Sequence, residues 1–197
     1  MKFSQWLERK KIIPVHDADQ KYNFDCGPAA LRAIAKLFGR NTSQEKLIDM
    51  TDAGKRKGSH PEDLVKAAAK LGMKVVAEKN MSLKTLLGHI KKGRPVICAV
   101  QAWAEKGHKD EYAQLKHGHY VVAMGYNSAE RLIYFSDPSM HNGHRGKLDY
   151  NEFMRRWYDK EAYDKSPHAF QPHLGIVVWD YSQMNPKYNT KPAKKIP

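Results

Sequence analysis

The sequence predicts an α+β domain, with helices first and a mostly antiparallel sheet second. Three observations predict it. Up to Gly72, apolar residues recur at helical spacing between cap and stop signals. From Met73 onward, short apolar runs bounded by turn residues take over, with helices set between them. Two of these runs, 119–126 and 131–136, flank the turn Asn127-Ser128-Ala129-Glu130 and read as an antiparallel hairpin.

Residues 1–25 give an amphipathic start and then a polar connector that contains Gln20. The next helix runs from Cys26 to about Phe38. Ala30, Leu31, Ile34, Leu37 and Phe38 share a face, Pro28 suits the first turn, and Gly39 supplies a stop. Thr42-Ser43-Gln44-Glu45 has the capping-box pattern ahead of Leu47, Ile48 and Met50. After a polar connector, Ser59-His60-Pro61-Glu62 is a second box, opening a helix through Leu64, Val65, Ala68 and Leu71 that Gly72 closes. Residues 73–77 form a short strand, 82–92 a helix, and 95–101 an apolar strand that holds Cys98.

Residues 103–118 are a long polar loop, a length often tied to function. The run from His119 to Tyr126 is apolar on both faces and so belongs in the middle of a sheet. Asp137-Pro138 ends the returning strand, because a residue before proline is held extended. Asp149 with Glu152 caps a short helix holding Phe153 and Trp157, and 174–179 is a last strand. From Gln183 the chain carries four lysines and three prolines and reads as a disordered basic tail. The expected division is one domain over 1–182 and a tail over 183–197.

Composition narrows the function. With 197 residues and 41% hydrophobic, the chain can build a real core. No apolar run approaches the roughly 18 residues that span a bilayer. The charged N-terminus has no signal-peptide core, so the default location is cytoplasmic, with signal-independent export left open. Two cysteines are no disulfide framework, and no CxxC pair is present for zinc. Cys98 reads as a small core residue. The net charge of +13 permits an acidic partner, but the lysines are spread and no nucleic-acid motif appears. A solvated basic surface fits better than a nucleic-acid site. His117 and His119 share a strand face, with His141 and His144 downstream, yet no carboxylate or cysteine stands at a zinc spacing. Neither a metal nor a cofactor is expected.

Cys26 carries the chemistry. At a helix start, unpaired N–H groups and the dipole favour a thiolate, the nucleophilic form. A thiol nucleophile needs a base, and the base needs a group to fix its tautomer. Pairing the two hairpin strands about a turn centred on Ser128 sets His119 opposite Asp137. The imidazole can then bond the carboxylate with one nitrogen and address Cys26 with the other. Acyl transfer also needs donors for the developing oxyanion; the Cys26 N–H is one, and the Gln20 amide, six residues upstream, is placed to be another.

Gln20-Lys21-Tyr22-Asn23-Phe24-Asp25-Cys26-Gly27, Gly118-His119-Tyr120-Val121-Val122 and Ser136-Asp137-Pro138 together resemble the C39 peptidase family. These are papain-like cysteine proteases best known as leader-removing domains of bacteriocin export transporters. The likeness spans roughly residues 15 to 160 in order and spacing. It implies a papain-like fold, with Cys26 as nucleophile, His119 as general acid/base, Asp137 as orienting carboxylate and Gln20 as oxyanion donor. It also implies a peptide or protein substrate, cut at a peptide or isopeptide bond. Asn151-Glu152-Phe153 with Trp157 is similar to a feature of free-standing relatives. No membrane or ATPase domain accompanies these motifs, and the loop 103–118 lies where substrate would approach. Double-glycine specificity is therefore not carried over. Two alternatives stand beside hydrolysis: acyl transfer by the same residues, and a silent C39-like module that binds peptide without cutting it.

Overall fold

The computed structural model describes residues 9–54, 58–102, 118–140, 145–160, 170–180, 182 and 194–195. In chain order its elements are β1 (Lys10–Ile12), α1 (Cys26–Leu37), α2 (Gln44–Met50), α3 (Pro61–Lys70), β2 (Lys74–Glu78), α4 (Leu83–Lys91), β3 (Val96–Gln101), β4 (Gly118–Asn127), β5 (Leu132–Ser136), β6 (Arg145–Asp149), α5 (Tyr150–Arg156), β7 (Tyr158–Lys160), β8 (Phe170–Pro172), β9 (Gly175–Trp179) and β10 (Lys194–Lys195). After the short β1, three helices lead and a mostly antiparallel sheet follows with two further helices set among its strands, as the α+β reading expects.

Helix α1 is the centre of packing. Ala29, Ala30, Ala33 and Ala35 let it lie close to its neighbours, and Leu31, Ile34 and Leu37 fill the space between; all are buried. It packs on α2 and α3 along one side and on β4 along another. Its end is the expected one, with Gly39 in the left-handed region at φ 69°.

Both capping boxes open one residue later than the pattern suggests. Ser43, not Thr42, caps α2, its Oγ accepting from the Lys46 N–H at 3.1 Å. His60, not Ser59, caps α3, its Nδ1 accepting from the Glu62 N–H at 3.3 Å. Pro61 dictates the second case: it occupies the first helical position, so the extended residue before it must be the cap.

The main sheet runs β10-β6-β5-β4-β3-β9-β2, and β1 pairs with β4 beyond the end of β3. All pairings are antiparallel except β10 on β6. β4 is central and buried along almost its whole length. Cys98 on β3 is a fully buried core residue, as expected. Strands β1, β6 and the β7–β8 ribbon carry no sequence signal that announces them. In β6 only Leu148 is a large apolar residue, so no alternation can be seen. The loop 103–117 and most of the expected tail, 183–193, lie outside the described residues. Lys194 and Lys195 pair with Gly146 and Lys147 at the sheet edge.

The hairpin register differs from the expected one. Val122 pairs with Ser136 and Ala123 with Phe135, then a bulge at Met124 shifts the ladder so that Gly125 meets Tyr134. The Asn127 side chain closes the turn, its Oδ1 accepting from the N–H groups of Ala129 and Glu130. Carried one step past Ser136, this register sets Asp137 opposite Val121, two residues from His119. A shift of two keeps the face, whereas a shift of one would have reversed it.

Candidate functional site

Three of the four predicted residues meet at one corner, where the start of α1 approaches the first residues of β4. Cys26 is the first residue of α1 and is half-buried. Asp25 precedes it but does not cap the helix with its side chain. Its fully buried carboxylate turns back instead. Oδ2 accepts from the Lys21 N–H at 3.1 Å and Oδ1 from the Tyr22 N–H at 3.0 Å, closing the loop upstream of Cys26. Gln44 of α2 donates from Nε2 to Asp25 Oδ2 at 3.1 Å. The Asp25 side chain thus leaves the first-turn N–H groups of α1 unclaimed, while fixing the loop that carries Gln20.

Gly27 is tied to the same corner. A Cβ on it would stand 3.0 Å from Ser59 Oγ and 3.2 Å from the Tyr120 ring, so a glycine lets α1 and β4 close up beside Cys26.

His119 is buried on β4, and its Nε2 lies 2.7 Å from Asp137 Oδ1. The two are diagonal neighbours across the hairpin rather than directly opposed, a spacing that an imidazole and a carboxylate can bridge. His119 also hydrogen-bonds Cys26. With Nε2 taken by Asp137, Nδ1 is the nitrogen left for the sulfur. Burial works against a charged ring, but the bond to Asp137, the bond to Cys26 and the charges of both partners outweigh it and push His119 up to about 10. Burial likewise works against the Asp137 carboxylate. His119 and the N–H and hydroxyl of Ser139 reverse that and hold it below the usual carboxylate range.

Ser139 is a residue that the sequence reading missed. Its N–H donates to Asp137 Oδ1 at 2.9 Å and its hydroxyl to the same oxygen at 2.8 Å. The run Asp-Pro-Ser is a side-chain-to-backbone turn signal, so this contact could have been found. Gln44 could not: its contact with Asp25 depends on how α2 packs.

Gln20 is joined to this corner through its backbone, whose N–H donates to Pro138 O at 3.0 Å. Its Nε2 donates to Tyr22 O at 3.1 Å, which orients the amide. Its Oε1 is buried with no hydrogen-bond partner among the described residues. Among the described residues, no group of three or more His, Cys, Asp or Glu side chains could hold a metal ion, and no helix is long and apolar enough to cross a membrane. His117, His141 and His144 lie outside the described residues.

Comparison with known proteins finds the same fold in solved peptidase domains. The peptidase domain of Streptococcus ComA, a bi-functional ABC transporter involved in a quorum sensing pathway, is 24% identical, with 85% of this chain and 96% of that chain covered and a TM-score of 0.56. A double glycine motif protease from an AMS/PCAT transporter, solved in complex with the leader peptide, is 16% identical, with coverage of 85% and 93% and a TM-score of 0.58. A candidate C39-like peptidase from Bacillus anthracis is 17% identical, with coverage of 88% and 99% and a TM-score of 0.66. The shared fold is that of papain-like C39 peptidase domains. No curated protein matches the chain by sequence. The model of the Peptidase_C39 like family matches residues 11–164, and the chain belongs to that family.

Proposed function

We propose that this protein is a cysteine peptidase that works through Cys26, His119 and Asp137. The observation that carries the reading is the buried chain of contacts at the start of α1: His119 bonds Cys26 on one side and Asp137, at 2.7 Å, on the other. A structural role alone does not call for a thiol at a helix start against a histidine held by a carboxylate.

The reaction follows from those positions. The Cys26 thiolate attacks the carbonyl carbon of the scissile bond, and the carbonyl π electrons move to oxygen. The Cys26 N–H and the Gln20 Nε2 hydrogen not given to Tyr22 stabilise that oxyanion. The oxyanion collapses, the C–N bond breaks, and protonated His119 gives its proton to the departing amine. A thioester on Cys26 remains. His119 then takes a proton from water, the hydroxide attacks the thioester, and the Cys26 thiolate leaves. Asp137 keeps the imidazole in one orientation throughout and stabilises its charge. An amine or thiol in place of water would make the same machinery an acyltransferase. An extended peptide is the substrate class, in keeping with the leader peptide held by one structural neighbour.

The test is Cys26→Ala, assayed for peptide cleavage and by circular dichroism. The expected result is no turnover and an unchanged fold. Full residual activity in that variant would remove the proposal.

A further inference from the structure

The residues around Trp157 have no part in the mechanism above, yet the chain they anchor returns to the strand that carries His119. Asp149 caps α5, its Oδ1 accepting from the N–H groups of Asn151 and Glu152. The helix delivers Trp157, which is fully buried and stacks on Phe153 at 4.7 Å and on His173 at 5.2 Å between ring centroids. Its indole N–H donates to Leu174 O at 2.8 Å, and its carbonyl accepts from the His173 N–H at 2.9 Å. The chain is thereby fixed where β7 begins.

Two residues on, Asp159 lies against Gly118, the residue before His119. A Cβ on Gly118 would stand 2.5 Å from both Asp159 carboxylate oxygens, so a side chain there would push the carboxylate out of its present place. Gln101 of β3 pairs with Gly118 across the ladder and is buried. Its Nε2 donates to Asp159 Oδ1 at 3.1 Å and to Tyr158 O at 3.3 Å. This support falls where β4 needs it. Residues 122–127 have β5 beside them, whereas among the described residues the ladder pairs of Gly118 and His119 are with β3. Strand ends with support on one side open most readily.

We propose that Asp159 and Gln101 are positioning residues for His119: the carboxylate fills the side-chain space of Gly118, the amide locks it there, and the end of β4 is held so that the imidazole stays between Cys26 and Asp137. This rests on the reading of His119 as the acid–base group. Misplacement of such a group by a fraction of an ångström is enough to slow a reaction.

The experiment uses the full chain and two readouts: the NMR titration of the His119 imidazole and the rate of Cys26 alkylation by iodoacetamide. Asp159→Ala is expected to slow alkylation roughly tenfold and to move the His119 midpoint down from about 10. Asp159→Asn keeps an acceptor for Gln101 and nearly the same shape, and is expected to recover most of both. Gly118→Ala should lose at least as much as Asp159→Ala, and Asp159→Gly in the same chain should relieve the clash but recover no further than the Asp159→Ala level. The Asp159 variants decide the matter even where Gly118→Ala does not fold. An Asp159→Ala protein with a lower urea midpoint but an unchanged His119 titration would overturn the proposal. So would Asp159→Asn behaving like Asp159→Ala, which would mean that charge and not position is at work. If wild-type Cys26 is unreactive while the His119 midpoint still follows Asp159, the peptidase reading fails and the positioning role stands.

Discussion

Cys26 and Cys98 are the same side chain in opposite surroundings. Cys26 opens a helix, is half-exposed and bonds a histidine. Cys98 sits in the middle of β3 with no exposure, and its Sγ makes a long 3.7 Å contact with Val96 O. Burial pushes the Cys98 thiol far above the ordinary thiol range, and the backbone bond at Ala123 offsets little of it. The comparison teaches that reactivity is a property of the corner and not of the residue. The largest expected effect sharpens it. Iodoacetamide should label Cys26 in the native protein at least ~10³-fold faster than Cys98, which is reached only through opening of the core. Peptide mapping by mass spectrometry reads both sites in one sample. Comparable labelling of both under native conditions would end the contrast.

The next effect is on the partner that sets Cys26 apart. Asp137→Asn takes away the charge that helps to raise His119 and leaves a neutral amide as its hydrogen-bond partner, while the burial that opposes the ring's charge stays. Peptide cleavage should fall by on the order of 10²-fold at neutral pH. The alkaline limb of kcat/KM, expected near 10 in the wild type, should move toward the ordinary imidazole value of 6.5. Stability follows with a definite sign. His119 is raised in the folded state, so its contribution is complete below about 6.5 and is lost as pH rises through about 10. Urea titrations across that window should show a steeper loss in the wild type than in Asp137→Asn. An alkaline limb that does not move would show that Asp137 is a neighbour of His119 and not its orienting partner.

The two halves of the site differ in how legible they were. The Cys26 side is local: helical spacing, Pro28 in the first turn and Gly39 at the end are signals within one segment, and α1 begins at the expected residue. The His119–Asp137 side depends on pairing between strands, and there the sequence was right about the meeting and wrong about the register. The bulge at Met124 and a turn extending to Arg131, at φ 54°, have no marker that a period-two pattern can reveal. The meeting survived because the error at that end of the ladder was an even number of residues. Strands β6 and β7 were not legible at all, since partners distant in sequence and not their own side chains make them strands. The contacts of Gln44 with Asp25 and of Asp159 with Gly118 belong to the same class.

Ser139 tests how finely the sheet side is tuned, and carries the smallest expected effect. Its N–H and its hydroxyl both donate to the Asp137 oxygen that His119 uses. Ser139→Ala removes the hydroxyl and leaves the N–H and the turn in place. A hydrogen bond to a charged group is worth about 1.5–3 kcal/mol when its loss leaves the charge unmet, but Asp137 Oδ1 retains two donors, so the loss should be only a fraction of that. The expected result is a fall of roughly threefold in kcat/KM, with KM unchanged, because the group touched is three bonds removed from any substrate. The carboxylate, relieved of one donor, becomes slightly more basic and holds the imidazolium more firmly, so the alkaline limb should stay in place or rise slightly, opposite in direction to Asp137→Asn. If Ser139→Ala matched Asp137→Asn in size, the hydroxyl would be organising the whole turn, and the corner would owe its geometry to residues 137–139 as a unit and not to the hairpin register that brings Asp137 within reach of His119.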